Sequence, residues 1–161
     1  MWQKRSLVIG VFLGTLLALP TTSAFAQQTD PVIEALHTDV VSVFFENVKS
    51  QAYKQAYTTL FGTKQLGTEE DRDTLVTETA KIEGKYGAYR SFERVYAKRV
   101  GSDLIFMKYL YKCENFPVLW HITFYRTSTS GDVGPESRPW QVVSIRFDTD
   151  LEILTLLTNG K

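Results

Sequence analysis

Between Leu104 and Tyr125 the chain reads LIFMKYLYKCENFPVLWHITFY, with apolar residues at alternate positions on either side of a short break. Ile105, Met107, Tyr109 and Tyr111 alternate on one side; Trp120, Ile122 and Phe124 alternate on the other. A period of two places every second side chain on the same face, so the stretch predicts an antiparallel hairpin with one buried face. The break is Glu114-Asn115-Phe116-Pro117. If Cys113 pairs with Val118 across it, Tyr111 faces Trp120, Tyr109 faces Ile122 and Met107 faces Phe124. That register gathers the aromatic set on one face. It leaves Phe106, Lys108, Leu110, Lys112, Leu119, His121, Thr123 and Tyr125 on the other.

The rest of the chain supplies cover for the aromatic face. Asp30 and Pro31 read as the cap and first residue of a helix. Its stripe is Ile33, His37, Val40, Phe44 and Val48, widened by Leu36 and Val43. Ser50 is placed to cap a shorter second helix with Tyr53, Ala56, Tyr57 and Leu60 on its inner side. Thr68, followed by Glu69, Glu70 and Asp71, opens a third, with Leu75, Thr79, Ile82 and Tyr86 as its stripe and Gly87 as its stop. From there the period changes to two. Arg90 to Val100 is the first strand, and Trp140 to Asp148 is the fourth, beyond an exposed loop from Thr127 to Pro139. Leu151, Ile153, Leu154, Leu156 and Leu157 form an apolar tail, a short helix or a fifth strand. Three helices followed by about four antiparallel strands make an α+β domain.

Residues 1–26 stand apart. Lys4 and Arg5 precede an apolar run from Leu7 to Leu19, and Ala24-Phe25-Ala26 supplies a small-residue cleavage pattern. The run is shorter than the roughly 20 apolar residues a membrane span needs, so a cleaved export signal is expected and no stable membrane anchor. The domain is then 27–161, in the periplasm or outside the cell. Removal of the segment leaves 16 basic against 18 acidic residues, without a block of either sign. That distribution lacks the concentrated basic footprint of a nucleic-acid binder. Cys113 is the single cysteine, so no disulfide can form within the chain, and it reads as a small buried hydrophobe.

The order of elements resembles the NTF2-like superfamily of the cystatin-like fold. The resemblance is carried by Tyr53-Lys54-Gln55-Ala56-Tyr57-Thr58-Thr59-Leu60, Lys85-Tyr86-Gly87, Leu119-Trp120-His121-Ile122-Thr123-Phe124-Tyr125-Arg126 and Trp140-Gln141-Val142-Val143-Ser144-Ile145-Arg146-Phe147. It implies helices and a bent sheet that form a cone around a pocket. Catalytic members of that family set an Asp/His or Asp/Arg pair, sometimes with Tyr, inside the cone. Here the inner strand positions carry Ile, Met, Tyr, Trp and Phe and no carboxylate, so no catalytic residue transfers. Glu93 points inward if the turn at Gly101 has three residues; a two-residue turn sends Phe92, Arg94 and Tyr96 inward instead.

The candidate sites follow from these faces. Tyr57, Tyr86, Tyr109, Tyr111, Trp120 and Phe124 would line the interior, as plain core or as a pocket for a small apolar or amphipathic ligand. Phe106, Leu110, Leu119, His121 and Tyr125 on the outer face suit a homodimer or partner contact. Leu119→Lys should then break association and spare the fold, unless the tail covers the patch within one chain. His37 is the one histidine placed to serve as a general base, and a lyase or isomerase using it with tyrosine hydroxyls is the alternative to a non-catalytic binding domain. His121 reads as a surface or interface histidine. No metal spacing, nucleotide loop or other cofactor motif occurs.

Overall fold

The computed structural model describes residues 30–62, 68–126, 139–152 and 154. The expected export signal lies outside these residues, as do most of the 127–139 loop and Ile153, Leu156 and Leu157 of the tail. Three helical rods pack on one four-stranded antiparallel sheet of order β1-β2-β3-β4. The strands are β1 (Tyr89–Val100), β2 (Leu104–Cys113), β3 (Val118–Arg126) and β4 (Trp140–Asp148). Among the described residues, no helix is long and apolar enough to cross a membrane.

The first rod runs unbroken through α1 (Pro31–Leu36), a π-helical turn (His37–Val41) and α2 (Ser42–Lys49). Asp30 caps it, accepting from the Val32 N–H at 2.9 Å. At the π turn the Ser42 N–H reaches back five residues to the His37 carbonyl, and the Ser42 hydroxyl donates to the same oxygen at 2.8 Å. One extra residue enters that turn and rotates everything after it. The buried set is therefore Ile33, Leu36, Val41, Phe44, Phe45 and Val48. The expected stripe is corrected in two places: Val41 is buried more deeply than Val40, and Val43 is exposed.

The second rod is α3 (Tyr53–Phe61), and Ser50 does not cap it. Ser50 ends α2 instead, donating to the Glu46 carbonyl. The third rod is α4 (Glu69–Ala80) continued by α5 (Ile82–Tyr86). Thr68 and Asp71 form a reciprocal capping box at its start, and Gly87 ends it at φ 89°.

The sheet keeps the expected faces but not the expected pairs. Tyr111 pairs with Val118, Tyr109 with Trp120, Met107 with Ile122 and Ile105 with Phe124. The connection is thus two residues longer than the break alone, and a shift of two preserves every face. At the other end, Gly101 to Asp103 form a three-residue turn with Val100 opposite Leu104. That parity alone would send Glu93 inward. The extra residue Val95 reverses it: Tyr96 pairs with Lys108 on the outer face, while Arg94 pairs with Tyr109 and faces the helices.

Ile105, Met107, Tyr109, Tyr111, Trp120, Ile122 and Phe124 all lie against Phe44, Phe45, Tyr57 and their neighbours in one core. Phe44 meets Trp120 edge-on at 5.3 Å, and Phe45 meets it edge-on at 5.7 Å. The outer face departs from expectation. Leu119 has no exposed surface and His121 only 8%, whereas Phe106 and Tyr125 are 37% and 43% exposed and Leu110 is half-buried. Leu119 lies opposite Asp148, where the chain leaves β4, and Leu151 and Leu154 just beyond are themselves half-buried. Leu119 is thus fully buried on the outer face, apart from the helix-side core, and Leu119→Lys would bury a charge.

Candidate functional site

Two groups of chemically capable side chains emerge, one on each face of the sheet. On the helix side, the bulge at Val95 turns both Arg94 and Arg99 inward, although they are an odd number of positions apart. Asp30 and Glu34 stand one helical turn apart on the facing rod. Arg94 pairs with Glu34, and Arg99 with Asp30 at 3.2 Å. The same turn of helix presents His37, whose Nδ1 lies 3.1 Å from the Tyr109 hydroxyl, with the two rings stacked at 5.6 Å. The Tyr109 hydroxyl also lies 3.3 Å from the Met107 sulfur.

Burial, and then the charge of Arg94, push the His37 imidazole below its ordinary value. Burial raises the Tyr109 phenol, while the bond from Arg94 lowers the Glu34 carboxyl. A neutral imidazole beside a phenol, an arginine and a carboxylate is an acid–base set in composition. Its geometry is closed. Tyr109 has no exposed surface, and His37 Nδ1 faces its hydroxyl.

The six residues expected to line an interior pocket separate. Tyr57, Tyr109, Tyr111, Trp120 and Phe124 are buried core, and Tyr86 is half-buried at the end of α5, its ring 6.0 Å from Phe116. The Tyr57 hydroxyl bonds Thr79 at 2.7 Å. Tyr109, Tyr111 and Trp120 have no exposed surface and pack in the core. Tyr57 and Phe124 reach clefts of about 180 and 240 Å³, one between α3 and α4 and one where α3 meets the start of β4. Cys113 is buried and unpaired, and burial pushes its thiol up to about 11. It and His121 sit on opposite faces of the sheet, so they form no dyad.

On the outer face a groove of about 430 Å³ is lined by Tyr96, Phe106, Lys108, His121, Thr123, Ser144 and Arg146, with Met107 and Ile122 beneath. The register builds it. Tyr96, Lys108, His121 and Arg146 form one row across all four strands, and Lys98, Phe106, Thr123 and Ser144 form the next. The Lys108 ammonium lies 5.8 Å from the Tyr96 ring centre. His121 Nε2 is 3.3 Å from Asp148 Oδ2, a contact that favours the charged imidazole but falls short of a well-formed hydrogen bond, and it finds no other partner among the described residues. Burial and the nearby Lys108 lower the His121 imidazole, and burial and Arg146 lower the Lys108 ammonium.

Sequence reasoning places Lys108 and His121 on this face but misses Arg146 and Tyr96, whose sides depend on the strand registers and the Val95 bulge. It also misses Glu34, although Glu34 lies three residues before His37 and so on its side of the helix. Compared with protein-family models, with curated proteins and with solved structures, the chain matches none, and its fold and sites stand on its own residues.

Proposed function

We propose that this is an exported, non-catalytic binding domain of NTF2-like architecture that takes a small amphipathic ligand in the groove on the outer face of its sheet. The contrast between the two faces carries this reading. The helix side is packed with Phe44, Phe45, Tyr109, Tyr111 and Trp120, whereas the outer face has a groove of about 430 Å³ with Tyr96 and Phe106 among its polar side chains. A mostly preformed concavity with apolar walls and a few polar groups is the usual form of a small-molecule site. Binding rather than catalysis fits His37, whose Nδ1 is engaged with the buried Tyr109 hydroxyl and whose carboxylate neighbour Glu34 is held by Arg94.

Titration of the isotope-labelled chain with small flat-ring amphipaths tests the reading. Amide shifts should concentrate at Phe106, Lys108, Thr123 and Ser144; shifts confined to Phe44, Tyr57 and Trp120, or none with any compound, would sink it. Intact mass of the exported protein should begin at Gln27.

A second reading has its own observation. Val100, Phe106 and Tyr125 lie toward one end of the same face with more than a third of their surfaces exposed. A second copy of the chain could cover them. Sedimentation equilibrium of the parent and Tyr125→Lys decides this: a parent that stays monomeric at high concentration removes the self-association reading.

A further inference from the structure

We infer that the outer-face groove selects a small organic anion, a flat or apolar body carrying one carboxylate or phosphate, and that Lys108 and Arg146 hold its charge on either side of His121. The inference rests on the reading of this groove as the ligand site, and it adds the sign of the ligand's charge and the groups that recognise it.

Three observations converge. First, the row Tyr96–Lys108–His121–Arg146 brings two cations to the groove, and neither makes an ion pair among the described residues. Three other cations of the sheet are paired: Lys112 with Glu93 at 2.5 Å, Arg94 with Glu34 and Arg99 with Asp30. Lys108 and Arg146 instead repel one another across the row. An anion placed between them would relieve that repulsion and supply both with acceptors.

Second, His121 lies between them with its side chain nine-tenths buried and its Nε2 held only by the marginal 3.3 Å contact to Asp148. A buried polar atom left in that state costs free energy unless something completes it. The nearest carboxylate, Asp148, belongs to the next row with Leu119 and Leu110, so it borders the groove rather than filling it.

Third, the remaining lining matches the rest of such a ligand. Phe106 and Tyr96 offer aromatic walls, the strands at Met107 and Ile122 form the floor with those two side chains facing the helices, and Thr123 and Ser144 add hydroxyls one row away. A fully hydrated inorganic ion would leave the aromatic half unused. A neutral apolar ligand would leave two cations unpaired in a partly desolvated groove.

The charge requirement also fixes a pH dependence. The groups facing His121 are Lys108 from β2 and Arg146 and Asp148 from β4, with Tyr96 at the far end of the row. A bound anion adds negative charge beside the imidazole and raises its proton affinity. By linkage, anion affinity then increases as pH falls through the imidazole range.

Isothermal titration and amide shift mapping with sodium 2-naphthoate and its neutral amide, 2-naphthamide, test this on the mature chain. The naphthoate should shift Lys108, Thr123 and Ser144 and bind about tenfold or more tightly than the amide, the range expected of one or two charge-assisted hydrogen bonds. Arg146→Gln, at an exposed position, should remove that preference without altering the melting temperature, and Lys108→Gln should reproduce the effect. Equal affinity of acid and amide for the groove would overturn the anion inference and leave the groove as the ligand site. Absence of groove shifts with both compounds would overturn the groove reading itself.

Discussion

Trp120 shows what a single residue contributes here. It has no exposed surface, takes Phe44 and Phe45 edge-on, and lies 4.6 Å from Phe147 on the neighbouring strand. Trp120→Ala should cost about 3–5 kcal/mol in urea unfolding, a large part of the roughly 5–15 kcal/mol that holds a domain of this size. A loss under 1 kcal/mol would show that the aromatic face does not carry the core. Leu119→Lys should be comparably damaging, because it buries an ammonium where no surface is exposed. The two histidines set the acid response. Both imidazoles are lowered below the ordinary 6.5, mainly by burial, so the unfolded chain takes up protons first as pH falls. Stability should be full above about pH 6.5 and decline below it, levelling once the folded imidazoles are themselves protonated. Glu34, lowered by Arg94, adds a further loss as pH falls from about 4.5 toward its folded value. Melting temperatures from pH 8 to 4 should show the decline, and His37→Gln with His121→Gln should flatten its upper part. An unchanged slope in that double variant would place the cause elsewhere.

At the scale of elements, Gly87 joins the third rod to the sheet under two constraints. Its φ of 89° with ψ of 172° is a conformation essentially reserved for glycine, and a Cβ there would lie 2.9 Å from Glu114 Cβ and 3.2 Å from the Asn115 nitrogen. Both Asn115 and Phe116 donate backbone N–H groups to the Tyr86 carbonyl, so the close approach is bonded in place. Gly87→Ala should therefore cost about 1–3 kcal/mol, whereas Gly84→Ala, in a helix with open space around it, should gain about 0.5–1 kcal/mol. Equal effects from the two would remove the constraint argued for Gly87. The same scale separates what can be read in the sequence from what cannot. Face assignment in the central hairpin is legible, because parity survives an error of two residues in the pairing. The caps at Asp30 and Thr68 and the stop at Gly87 are legible because residue chemistry dictates them. The π turn and the Val95 bulge have no such signature: each inserts one residue into a regular pattern, and only packing reveals it. They decide that Phe45 is core, that Arg94 meets Glu34 and that Tyr96 joins the outer row. The candidate site was half visible for that reason.

Across the whole molecule, the two faces of one sheet divide the work. The helices fill one face with aromatic rings, and the other face carries the unpaired cations and the exposed Phe106 and Tyr125. Among the described residues the sheet is open, and β1 and β4 are its edge strands. Both edges are irregular: extra residues interrupt β1 at Arg90 and Val95, and β4 at Val143. A strand approaching from outside needs an uninterrupted run of donors and acceptors in step with its own, and each bulge breaks that step and adds twist. The insertion that brings Arg94 to Glu34 thus also spoils the edge as a template. At concentrations where a flat border would recruit a fifth strand and begin a fibre, this sheet should remain four strands wide.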